Sequence, residues 1–101
     1  MATSLNQPDI AAVLQSLADP VRLEIVRQLA GGAELTCGQL ELPVGKSTRS
    51  HHLKTLSSAG VIAEREEGTR KYLRLRRAEL DRDFPGLIDL VLRAANPSTV
   101  P

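Results

Sequence analysis

Apolar side chains recur at helical spacing near the start of the chain, where Ile10, Val13, Leu14 and Leu17 fall at i, i+3, i+4 and i+7. Pro8 is placed to open that helix. Asp19-Pro20 reads as an N-cap with proline at the first helical position, starting a second helix through Val21, Ile25, Val26 and Leu29. Gly31-Gly32 ends it, because glycine tolerates the left-handed backbone of a helix terminus. Thr36-x-x-Gln39 has the form of a capping box, which predicts a short third helix packing through Leu35 and Leu40. Pro43-Val44-Gly45 turns the chain into a fourth helix that runs to Gly60. Beyond it the period changes to two: Leu73 and Leu75 alternate with Tyr72, Arg74 and Arg76. Two strands flanking Glu67-Gly68-Thr69 follow. Phe84, Leu87, Ile88, Val91, Leu92 and Ala95 then trace a last helix, broken near its start by Pro85-Gly86 and closed by Asn96-Pro97.

The fold class is therefore mostly α with a β wing: about five helices plus a two-stranded hairpin, in winged helix-turn-helix order. Residues 8–95 form the folded unit, with a flexible N-terminus at 1–7 and a flexible tail at 96–101. A chain of 101 residues makes one domain with a modest core, and with only 2% aromatic residues that core rests on Leu, Val, Ile and Ala.

The fourth helix has two unlike faces. At about 100° per residue, Ser47, His51, Lys54 and Ser58 share one side, and Leu53 and Leu56 point the other way. One side thus offers hydrogen-bonding groups of modest bulk, and the other is apolar. Such a helix beside a basic hairpin is shaped to enter a DNA major groove and brace on the backbone.

Charge sharpens this picture. The net value is only +1, yet residues 46–77 hold nine Lys and Arg against three Glu, which leaves +6 there and −5 elsewhere. Solubility does not require that segregation, whereas a polyanionic partner explains it. No apolar run approaches the about 18 residues of a membrane span, and Met1–Ser16 lacks the charged-then-apolar pattern of a signal peptide. A single cysteine, Cys37, excludes an internal disulfide. The expectation is a cytoplasmic protein without a membrane partner. Ser/His pairs are present on the fourth helix, but no orienting acid or oxyanion donor accompanies them, so no enzymatic activity is expected.

Four segments together resemble the arsenic-repressor (ArsR/SmtB) family of bacterial transcriptional regulators. They are Leu17-Ala18-Asp19-Pro20-Val21-Arg22-Leu23, Lys46-Ser47-Thr48-x-Ser50-His51-His52-Leu53-Lys54-x-Leu56, Ala59-Gly60-Val61-Ile62 and the wing Gly68…Tyr72-x-Arg74-Leu75. The resemblance spans roughly residues 10–95 and implies a homodimer that sits on an operator and leaves it when an effector binds.

Metal-sensing members carry Glu-Leu-Cys-x-Cys-Asp-Leu on the third helix. This chain reads Glu34-Leu35-Thr36-Cys37-Gly38-Gln39-Leu40, with Cys37 between the two ligand positions and neither ligand present. A second family site uses histidines and carboxylates on the last helix, where this chain has Asp81, Asp83 and Asp89 but no histidine. One thiol cannot close a shell around a thiophilic ion, and His51 and His52, adjacent on a helix, do not converge on one. No metal cofactor is expected. Cys37 reads either as a small packing residue or as a redox-responsive thiol near a helix start.

The resulting expectation is a homodimeric, sequence-specific DNA-binding repressor on an imperfectly palindromic operator. Ser47, Thr48 and His51 reach base edges, Lys46, Arg49 and Lys54 reach phosphates, and Arg70 and Lys71 place the wing tip near the minor groove. Arg49 shares the side of Leu53 and Leu56, so its guanidinium either snorkels to a phosphate or pairs with an acid such as Glu41. Val13, Leu17, Leu87, Ile88, Val91 and Leu92 are assigned to the subunit interface. The effector is open: an organic small molecule, an oxidant, or none. A winged-helix module used for protein–protein contact is the alternative from a different class.

Overall fold

A computed structural model describes residues 9–95 of the chain. The segments read as flexible, 1–7 and 96–101, lie outside the described residues, as do Pro8 and Asn96-Pro97. Helix α1 spans Ile10–Leu17 and α2 spans Pro20–Leu29; a short strand β1, Leu35–Thr36, leads into a 3₁₀ turn, Cys37–Gln39. Helix α3 spans Lys46–Ser58, the wing strands β2 and β3 span Ile62–Glu67 and Arg70–Leu75, and helices α4, Arg77–Asp83, and α5, Leu87–Ala95, complete the order. No described helix is long and apolar enough to cross a membrane.

The first two helix starts have a local cause. The Asp9 carboxylate accepts from Ala12 N at 3.2 Å, capping α1. Asp19 accepts from Val21 N at 2.8 Å and Arg22 N at 3.1 Å, and Pro20 occupies the position where a missing N–H costs nothing. Gly60 takes φ +83° where α3 hands over to β2, and Gly68 takes φ +63° in the hairpin turn, a left-handed geometry that a residue with a Cβ resists.

The core draws on every layer. Val13, Ile25, Val26, Leu29, Leu53, Leu56, Val61, Ile62, Leu73, Leu80 and Ile88 are all buried. In β3 the expected alternation holds, with Leu73 and Leu75 buried and Arg74 exposed. Tyr72 is half-buried at the wing, with the Arg65 guanidinium 4.6 Å above its ring.

The structure departs from the sequence reading in four places. The third helix is a single 3₁₀ turn, in which Gln39 Oε1 accepts from Thr36 N at 2.8 Å. Three residues between β1 and Leu40 leave no room for a longer helix. Leu35 and Thr36 instead pair antiparallel with Leu73 and Tyr72, so the wing is a three-stranded sheet in the order β1-β3-β2. Helix α4 was not anticipated; only Leu80 of its seven residues is buried, so it shows no apolar stripe. Finally, Val13, Leu17 and Ile88, assigned to a subunit seam, lie in the protomer's own core at 0%, 5% and 0% exposure. Leu87, Val91 and Leu92 are half-buried against that core.

Candidate nucleic-acid interface

Helix α3 begins without a side-chain cap and without an acidic residue in its first turn. Its first N–H groups therefore lack intrahelical acceptors, and the positive end of the helix dipole faces outward. Lys46 adds a cation at the same end. That arrangement is unfavourable for an isolated helix and favourable for one whose end meets a phosphate.

Along α3 the two faces separate as the spacing requires. Lys46, Ser47, Thr48, Ser50, His51 and Lys54 are exposed, while His52, Leu53 and Leu56 are buried. Arg49 is half-buried and pairs with no acid, Glu41 included, among the described residues.

His52 marks a connection that sequence reasoning missed. Its Nδ1 lies 3.0 Å from Arg22 Nη1, and since a guanidinium only donates, the ring nitrogen accepts. Arg22 Nε also donates to Ser16 O, the last turn of α1, at 2.5 Å. One guanidinium thus ties together α1, α2 and the helix that carries the polar face. The Asp19 cap sits in the same cluster. Burial pushes its carboxyl upward, but the N–H groups of Arg22 and Val21, with the charge of Arg22, hold it below its ordinary value. The signal available in sequence was the Asp-Pro-x-Arg segment, which reads as a helix start without revealing its partner thirty residues away.

The nine cations of residues 46–77 fall into two groups. Arg65 bridges Glu34 at 2.7 Å and Glu67 at 2.6 Å, and Lys71 meets Glu64 at 3.5 Å. Arg74 and Arg76 share Glu79 at 3.8 and 3.7 Å, and Arg77 pairs with Asp81 at 2.9 Å and with Asp89. The carboxylates respond: hydrogen bonding from Arg65 holds Glu34 below its usual range despite the opposing effect of burial. Lys46, Arg49, Lys54 and Arg70 make no ion pair among the described residues. Three of these are on α3 and the fourth stands at the wing tip.

The chain is similar to known proteins. A helix-turn-helix domain model matches residues 17–65. The HTH-type transcriptional regulator YceK of Bacillus subtilis is 37% identical over 82 residues, 78% of this chain and 82% of that protein. The arsenical resistance operon repressor of Staphylococcus aureus is 31% identical over 78 residues, covering 76% of this chain and 75% of the repressor. The chain belongs to the ArsR/SmtB family. Among solved structures, the homodimeric winged helix-turn-helix DNA-binding domain Mb0332 of Mycobacterium bovis superposes with a TM-score of 0.70 at 31% identity, covering 91% of this chain and 82% of that one.

Within this ArsR/SmtB regulator, the family's two metal positions are differently furnished. Cys37 is half-buried at the head of the 3₁₀ turn, where it lines grooves beside the wing with Lys71 and Arg70. No three His, Cys, Asp or Glu side chains converge among the described residues in a way that could hold a metal ion. In α4 and α5, Asp81 and Asp89 face Arg77, and Asp83 faces Arg82. These carboxylates serve ion pairs.

Proposed function

We propose that this ArsR/SmtB regulator is a homodimeric repressor whose α3 enters the major groove of an imperfectly palindromic operator. The observation that carries this reading is the division of cations. Four basic groups without a carboxylate partner among the described residues lie on α3 and the wing tip, where a polyanion is the partner of matching charge. Ser47, Thr48 and His51 present short polar groups to base edges, with Lys46, Arg49 and Lys54 on phosphates and Arg70 and Lys71 at the wing.

The subunit seam uses the outer helices. Ile10, Leu14 and Leu90 are the exposed large apolar side chains of α1 and α5, at 43%, 50% and 60% exposure. With half-buried Leu87, Val91 and Leu92 they replace the fully buried Val13, Leu17 and Ile88 as seam residues. Two-fold pairing sets the α3 helices about 34 Å apart, one turn of DNA. The homodimeric M. bovis relative supports this assembly. Release is by a non-metal effector, in keeping with the unfilled ligand positions around Cys37.

Recovery of bound genomic fragments tests the whole reading. Enriched sites with two inverted half-sites are expected; binding without sequence preference, or none, overturns it. Sedimentation at micromolar concentration tests the seam, where Leu90→Asp is expected to give folded monomers with steeply reduced operator affinity.

A further inference from the structure

The polar face of α3 does not end in open solvent. On the side away from the wing it forms one wall of a groove of about 600 Å³ whose other wall is α1. Gln15, Arg22, His51, Lys54, Thr55 and Ser58 line it, and among the described residues no carboxylate does. This separates it from the groove on the wing side of α3, where Glu64 sits beside Lys54 and Lys71. Within the α1 groove the side chains of Gln15, Lys54 and Ser58 make no hydrogen bond or ion pair among the described residues. Three donors from two helices therefore open onto one space, and the fixed charges around it are positive.

Helix geometry says what lies opposite. Ser58 follows Ser47 by about 16 Å along the axis at 1.5 Å per residue. The major groove is about 12 Å wide. With Ser47 at the bases, the last turn of α3 has passed the groove edge and stands at the phosphate rim. We infer that the α1–α3 groove seats a backbone phosphate of the bound DNA, held by Lys54, Ser58 and Gln15, so that α1 is part of the DNA interface. This rests on the DNA-binding reading above and extends it to a helix that the sequence assigned only to packing and assembly.

The test places a carboxylate in the groove at a position that does not disturb the core. Gln15 is exposed, so Gln15→Glu leaves the fold intact. Ala11→Glu adds the same charge to the same helix at an exposed position outside the groove and serves as the control. Gln15→Glu is expected to weaken binding to operator and scrambled DNA alike, by about tenfold at moderate salt, with their ratio unchanged. Ala11→Glu is expected to bind as the wild type does. Equal behaviour of the two variants overturns the inference while leaving operator binding by the wild type in place. Failure of the wild type to bind any DNA overturns the underlying reading instead. Inorganic phosphate titrated into the free protein is expected to leave the Gln15 side-chain amide and Ser58 signals unmoved at low millimolar concentration. Saturable shifts there, with Gln15→Glu binding DNA normally, make the groove a small-anion site and overturn the proposal.

Discussion

Helix α3 carries three cations and the wing strands four, and all of the wing's but Arg70 are used in the opposite way to those of α3. On α3, Lys46, Arg49 and Lys54 have no acid within ion-pair reach among the described residues. On the wing, Arg65, Lys71 and Arg74 each face a glutamate, and Arg65 is drawn further into the protonated form by Glu34 and Glu67. A count of basic residues therefore overstates the field of the wing and describes that of α3 faithfully. The paired wing cations fix the shape of a hairpin, and the unpaired ones of α3, with Arg70, are left available to a polyanion.

The largest contrast is expected in base discrimination. Ser47→Ala and His51→Ala should each cost about 1–3 kcal/mol of operator-over-scrambled preference, as removal of a good base contact does. Arg70→Ala should lower affinity for every sequence and make the salt dependence shallower by about one unit. Competition binding with operator and scrambled duplexes separates the two behaviours. Retained discrimination in both α3 variants removes that helix from the groove.

Next comes the support of α3. Arg22→Met strips His52 of its partner and frees Ser16 O, an expected loss of about 1–3 kcal/mol for buried polar groups left unpaired. Denaturant midpoints measure that loss. Operator affinity should fall with it, because the Arg22 guanidinium, held by Ser16 O and His52, positions α3. Arg65→Met, on the exposed wing, should leave the base preference and the slope as they are.

The Asp19 cap predicts a smaller effect with a definite pH dependence. Asp19→Ala is expected to cost about 1 kcal/mol, and Asp19→Asn much less, since asparagine caps equally well. Because the folded carboxyl titrates below its ordinary 3.8, its stabilisation is complete above that value and disappears as the pH falls through the lowered one. Urea midpoints at pH 7 and pH 3 should therefore converge between wild type and the Asn variant at the acid end. The smallest effect is assigned to Cys37→Ser, which under reducing conditions should leave DNA affinity unchanged by fluorescence anisotropy.

Local signals were readable in the chain and distant ones were not. Asp19-Pro20, the two faces of α3 and the alternation in β3 depend on neighbours within a few residues. Strand β1 is two residues long and exists because it meets Leu73 and Tyr72, more than thirty positions away. Helix α4 buries only Leu80 and is held by ion pairs such as Arg77 with Asp81, so its polar sequence resembles a loop. The seam assignment failed at Val13, Leu17 and Ile88 because an apolar stripe does not say which of its members the same chain already covers. In the same way, the pairing of Arg65 with Glu34 and the link from Arg22 to His52 are properties of the folded chain.

The central claim is that α3 supplies the charge that meets DNA while most of the wing's charge is spent within the protein. The slope of log affinity against log salt tests it directly, measured for the wild type, Lys46→Gln/Lys54→Gln and Arg65→Gln/Arg74→Gln on one operator duplex. The α3 double variant should lose about two units of slope and the wing double variant close to none. Equal losses in the two variants, or a larger loss on the wing, would contradict the account.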